Sequence, residues 1–273
     1  MTSASTEAGD LPDTEVLTAF GVENGDREVL TGGGEISLRV GGTVLKRVHD
    51  VAVAEWAQPA LAAIAPAAWR VPTPKPASDG SWVVSGWTAT EFIERLIPLQ
   101  NQPDDTVEIG LELGRLLGDH TAAVLELSRR RVDRWSVADR VAWGETEVGP
   151  LGLQPAVLEL VERLSSNFVQ QREPVAVVHG DLATNVFVDP AGVPVVLDLS
   201  PYVRPARYGS AIVVIDHLLW LSGSVDIRRL VDDDRDALAR ALLFRVIAHQ
   251  LGIAPNADHG LVEIMPVVNA LEL

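Results

Sequence analysis

From Val175 to Leu199 the chain reads VAVVHGDLATNVFVDPAGVPVVLDL. An apolar run delivers His179-Gly180-Asp181 into a short loop. Asn185 follows, then a strand, a turn at Asp189-Pro190-Ala191-Gly192, and a second apolar strand ending on Asp198. The alternation of apolar runs with turn residues predicts a hairpin. Two strands and a loop can bring Asp181, Asn185 and Asp198 together. Two carboxylates and an amide are the oxygen ligands that Mg²⁺ prefers. A phosphoryl-transfer site needs one acidic group near an attacking hydroxyl and another holding the metal on the phosphates.

HGDLATNVFVD followed by VVLDLS resembles the catalytic segment of aminoglycoside phosphotransferases and their relatives, small-molecule kinases on a protein-kinase-like fold. The resemblance implies Asp181 as catalytic base, Asn185 and Asp198 as metal ligands, and His179 as a residue bracing the loop. One departure stands out. That family places its Asn five residues after the catalytic Asp, whereas Asn185 lies four after Asp181. The shortened loop reads as a variant belonging to an uncharacterised bacterial branch.

The bulk properties narrow the function classes. The 273 residues suffice for one large domain or two lobes. A hydrophobic fraction of 47% and a charged fraction of 22% are those of a globular protein. The net charge of −16 opposes nucleic-acid binding; it suits a cationic substrate, and equally it serves solubility. No cysteine occurs, so thiolate catalysis and cysteine-bound zinc are excluded. No apolar run approaches the ~20 residues of a membrane span, and the start lacks the pattern of a signal peptide. The expectation is a cytoplasmic protein without a membrane partner. Lys46 and Lys75 are its lysines; every other permanently charged basic residue is arginine.

Residues 1–12 read as a polar tail. Two glycine clusters between β-branched runs over 29–48 predict strand, turn, strand, turn, strand, and Val51–Ile64 predicts a helix carrying Glu55. Ser81–Trp87 reads as a strand breaking at Gly86. Composition then shifts toward long helices, which puts a lobe boundary near Trp87. Helices are predicted from Asp104 to about Arg130, over 155–171, 211–221, 227–250 and 258–271, with a loop, SPYVRPARYGS, after Asp198. Strands first and helices after is an α+β arrangement in two segregated parts. It matches the two-lobed protein-kinase-like fold: a small antiparallel-sheet N-lobe over 13–87 and a mainly helical C-lobe over 88–273 with the catalytic hairpin.

Other constellations are weaker. Gly32, Gly33 and Gly34 make no P-loop, because no Gly-Lys-Ser/Thr follows, and alone they read as a hairpin turn. The resemblance makes them the nucleotide loop, one strand before Lys46. It likewise implies Lys46 on the α/β-phosphates with Glu55 as ion-pair partner, Glu35 competing for that role. Val84 and Gly86 fall where the family's interlobe connection contacts the nucleotide base. Trp82 and Trp87 read as core residues. The histidines show no zinc spacing. Asp216, in AIVVIDHLLW, is an acid inside an apolar helix and must find a partner; the resemblance gives it the structural role of bracing the catalytic loop. Arg204 and Arg207 read as solvated.

Together these readings point to an ATP- or GTP-dependent, Mg²⁺-assisted kinase of a small hydroxyl compound: an amino sugar, an aminoglycoside-like molecule or an amino alcohol. The nucleotide is expected between the lobes. The rival is a nucleotide-binding pseudokinase with a regulatory, non-catalytic role. The shortened loop favours the rival; retention of Asp181, Asn185, Asp198 and Lys46 opposes it.

Overall fold

The structure is a computed structural model that describes residues 11–30, 36–221, 223–252 and 259–273, with the side chains of 259–263 excluded. The chain forms two compact units. The first runs up to Ile97 and takes in Phe187–Leu197; the second comprises Pro98–Val186 and Asp198–Leu273.

The first unit begins with α1 (Thr14–Ala19), whose N-cap Asp13 accepts the Val16 N–H. A five-stranded antiparallel sheet follows, from β1 (Arg27–Leu30), β2 (Ser37–Val40), β3 (Thr43–Arg47), β4 (Pro74–Lys75) and β5 (Trp87–Glu91), in the order β1-β2-β3-β5-β4. Helix α2 (Val51–Ala63) lies between β3 and β4 in sequence, and its N-cap Asp50 accepts the Val53 N–H. Register puts Leu38, Leu45 and Ala89 side by side. With Val40 and Trp87 they bury one face of the sheet beneath Val16 and Leu17 of α1. Leu11 packs on the same core, so the expected tail ends before residue 11.

The boundary falls at Ile97, not Trp87. Trp87–Glu91 is an inner strand, paired with β3 on one side and β4 on the other, and so cannot be where the sheet ends. The chain leaves through β6 (Ile97–Pro98) and enters α3 (Pro103–Leu116), α4 (Thr121–Arg130), α5 (Arg134–Ala142), α6 (Pro155–Ser165) and β7 (Val175–His179). The single helix expected over 104–130 is broken by a 3₁₀ turn at Gly118–His120, where the Thr121 hydroxyl bonds the Gly118 carbonyl at 2.7 Å. His120 lies in that turn.

Strands β8 (Val186–Val188) and β9 (Pro194–Val196) form the predicted hairpin. Most of it belongs to the first unit, a second departure from the expected 88–273 lobe. The cause is Arg70: its N–H and C=O bond Pro194 O and Val196 N at 2.9 Å each, and its guanidinium pairs with Glu91 and Asp189. The second unit resumes with β10 (Pro201–Pro205), α7 (Ala206–Trp220), α8 (Arg235–Gly252) and α9 (His259–Ala270). β10 occupies what reads as a loop in the sequence. It pairs antiparallel with β7 alone, and prolines at its two ends leave the interior ladder intact.

Helices α7 and α8 are apolar on every side because they are buried on every side, over Ser210–His217 and Asp236–Ala248. They anchor the large core of the second unit. Among the described residues no helix is long and apolar enough to cross a membrane. Helix α3 approaches β7 and the loop after it through a glycine face. A Cβ on Gly114 would stand 2.6 Å from the Val177 carbonyl oxygen, and one on Gly110 would stand 2.9 Å from Leu182 Cδ2.

Gly114→Ala therefore tests this contact. Alanine gains about 1 kcal/mol of helix propensity, but a clash with backbone costs about 1–3 kcal/mol. Urea unfolding should show net destabilisation. Gly118→Ala, whose Cβ would meet nothing within 4 Å, should be neutral or slightly stabilising.

Candidate active site

The β7–β10 pair leads into the loop from Gly180 to Asn185. His179 stands opposite Pro201, and the Gly180 N–H bonds Ser200 O at 2.8 Å. His179 is 3% exposed. Its Nδ1 accepts the Asp181 N–H at 3.0 Å, so Nε2 carries the proton and donates to the Asp198 carbonyl at 2.6 Å. One imidazole thus ties the backbone of Asp181 to the backbone of Asp198. Burial holds the His179 pKa below the ordinary histidine value, against the opposing pull of the Asp198 carbonyl and the Asp181 charge. The neutral ring is also the form that the two hydrogen bonds require.

Asp181 is half-exposed at the start of a tight turn. The Asn185 N–H closes on Leu182 O at 2.9 Å. The Asn185 amide nitrogen donates to the Asp181 carbonyl at 2.6 Å and to Asp181 Oδ2 at 3.0 Å, while the Thr184 hydroxyl reaches Oδ1 at 3.4 Å. With its nitrogen engaged, Asn185 has its amide oxygen left as a potential cation ligand. An amide oxygen and carboxylates are the kinds of donor that Mg²⁺ prefers. Among the described residues no group of three or more His, Cys, Asp or Glu side chains is placed to hold a metal.

Asp216 is fully buried in α7, and its partner is Arg245 of α8. Arg245 Nε donates to Asp216 Oδ1 at 2.6 Å and Nη2 to Oδ2 at 2.5 Å; Nη2 also reaches the Gly180 carbonyl at 2.9 Å. Burial pushes the Asp216 carboxyl up to about 6, outweighing the guanidinium's opposite pull. Sequence reading missed Arg245. The available signal was ALARALLFRVIAH, an apolar helix carrying two arginines, next to an apolar helix carrying one acid. Arg204 is also not solvated: it forks onto buried Asp139 and onto Glu145.

In the first unit, Lys46 is half-buried on β3, opposite Ser37 and Thr88 and on the sheet face away from Leu45. Glu55 is exposed on α2. Gly32, Gly33, Gly34 and Glu35 lie outside the described residues. Val84 and Gly86 do not form a connection between lobes. They make a tight turn with φ of +49° at Ser85 and +79° at Gly86, entering β5. Val84 and Trp87 exchange both backbone bonds at 2.9 Å, and Gly86 O accepts Val48 N–H, so these groups are engaged within the sheet.

No family model matches the chain, and no curated protein is significantly similar to it in sequence. Solved structures do share its fold. An amicoumacin kinase in complex with AMP-PNP, Ca²⁺ and Ami superposes with a TM-score of 0.58 at 11% identity, covering 94% of this chain and 90% of that one. A spectinomycin phosphotransferase in complex with ADP and spectinomycin gives 0.59 at 14% identity, with 94% and 95% covered. A choline/ethanolamine kinase family protein from Mesorhizobium loti gives 0.51 at 13% identity, with 94% and 91% covered. The chain has the two-lobed protein-kinase-like fold of the small-molecule kinases.

The Asp216 environment makes a pH prediction. Its folded value of about 6 lies above the ordinary carboxylate value of 3.8, so between these limits the folded protein binds the proton that the unfolded chain has lost. The group then lowers stability as pH rises through that window, by at most about 1.4 kcal/mol per pH unit. Urea unfolding of wild type and Asp216→Asn at pH 4, 5 and 6 should show wild type's advantage shrinking with rising pH. An advantage that grows instead would mean that Arg245 outweighs burial.

Proposed function

We propose that this protein is a nucleotide-dependent phosphotransferase that transfers the γ-phosphoryl group of ATP or GTP to a hydroxyl of a small molecule. The observation that carries the reading is the His179 bridge. It holds the base candidate Asp181 and the metal-ligand candidate Asp198 through one buried ring. Asp181 orients the substrate hydroxyl and accepts its proton. Asn185 and Asp198 hold Mg²⁺ through their oxygen atoms, and Mg²⁺ when bound neutralises charge on the phosphoryl group in flight. Lys46 steadies the α/β-phosphates, with Glu55 as its ion-pair partner. Gly32, Gly33 and Gly34 cover the phosphates. Contact with the base passes from Val84 and Gly86 to the segment after β5. Support for the substrate class comes from the relatives of the same fold, which were solved with antibiotics and adenine nucleotides. An amino sugar or amino alcohol also suits the acidity of the chain.

A second reading, a regulatory pseudokinase, draws on one observation: Asn185 folds back onto Asp181, so the two groups expected to divide base and metal work are hydrogen-bonded to each other.

Differential scanning fluorimetry with each nucleotide and Mg²⁺ tests binding, because a ligand of the native state raises the melting temperature. Asp198→Ala should lose most of that Mg²⁺-dependent shift, and Asp181→Asn should keep it while losing transfer to a panel of amino sugars, amino alcohols and nucleosides. Absence of a shift with either nucleotide at millimolar concentration overturns both readings. A residue inserted between Thr184 and Asn185 separates them. It should reduce activity if the clamp is the working geometry, whereas restored activity would mark the native loop as degenerate.

A further inference from the structure

We propose that Arg245 is the positioning residue of the catalytic loop: a guanidinium neutralised by Asp216 holds the Gly180 carbonyl and the Asp181 carboxylate in the aim that phosphoryl transfer needs. This rests on the reading of Asp181 as the base.

A buried ion pair is weak grounds for stability. Replacing both partners by apolar residues is often neutral or stabilising, whereas removing one leaves a stranded charge. A pair kept only for the core would turn both heads inward. The Arg245–Asp216 pair does not. The same Nη2 that meets Asp216 reaches out of the α7–α8 interface to Gly180 O at 2.9 Å and to Asp181 Oδ1 at 3.5 Å. The first contact is a hydrogen bond to loop backbone. The second is at the outer limit of one and acts as a charge beside the carboxylate.

The guanidinium plane has little freedom. The ring centroids of Phe244, Trp220 and Trp135 lie 4.8, 5.4 and 5.6 Å from its Cζ, and the side chain is 2% exposed. Asp216 takes the fork on one side, so the remaining donor direction is set before any ligand arrives. Gly180 itself has no room to drift: a Cβ there would fall 2.3 Å from Tyr202 Cε2. His179 fixes the Asp181 N–H, Asn185 fixes the Asp181 carbonyl, and Arg245 fixes the carbonyl one residue earlier. Without Arg245 the Gly180 carbonyl loses its hydrogen bond to α8, and the Asp181 carboxylate loses its cationic neighbour.

The test uses the full chain and the double variant Arg245→Met/Asp216→Leu, which removes both charges together. Its melting temperature should stay near wild type. Hydrogen–deuterium exchange should accelerate in the peptide covering 178–187 and stay unchanged within α7 and α8. Turnover, read as nucleotide hydrolysis or transfer, should drop about 100-fold from misplacement of the base, with nucleotide KM within about twofold. Arg245→Lys, which keeps the charge and loses the fork, should show the same split, and it decides the matter alone if the double variant does not fold. Wild-type exchange in the loop, or wild-type turnover in a stable double variant, overturns the proposal. Wild type that turns over nothing would defeat the phosphotransferase reading, and loop exchange would still decide whether Arg245 positions the loop.

Discussion

A carboxylate with no exposed surface sits in the middle of an apolar helix, and much of the second unit follows from the need to satisfy it. Asp216 cannot reach water, so a cation must come to it. That cation lies on α8, itself buried on every side, and α8 must therefore pack against α7 with Arg245 facing Asp216. Nη2 of the same guanidinium then points at the loop between β7 and β8.

The β8–β9 hairpin is constrained at its turn as well. Its turn is held by the first unit, through the Arg70 backbone on β9 and the Arg70 guanidinium on Asp189. Asp181, Asn185 and Asp198 all remain in the second unit. The polar groups are thus anchored by the helical core, while the strands carrying Phe187 to Leu197 are continuous with the sheet unit. Chain continuity places Asn185 and Asp198 at the hairpin's two exits, and the His179 ring ties the second exit back to Asp181.

What could be read in the sequence was what depends on local chemistry. Glycine and proline punctuation located the hairpin, and an acid in an apolar run announced that Asp216 needed a partner. The readings that failed depend on pairing between distant segments. Pro201–Pro205 has proline at both ends and an arginine, and only its ladder with Val175–His179 makes it a strand. The 104–130 helix keeps an apolar period across Gly118, yet the chain breaks there. Composition near Trp87 suggested the end of the sheet, whereas pairing of Trp87–Glu91 with two neighbours extends it. Arg245 was missed because the acid that gives it meaning lies 29 positions away, on another helix.

The four-residue spacing of Asp181 and Asn185 follows the same logic of fixing groups before a ligand arrives. Asparagine offers two donors and an oxygen on one planar amide, so engaging the nitrogen orients the oxygen. In this loop the nitrogen is held twice by Asp181, on its carbonyl and on its carboxylate. A longer loop would leave the amide to find its orientation when a cation binds, at the cost of side-chain entropy. The short one sets that orientation during folding, and the same bond holds Oδ2 of Asp181. Preorganised dipoles need no rearrangement as charge develops. Shortening the loop therefore trades reach for rigidity, and the rigidity falls on the side chains of Asp181 and Asn185.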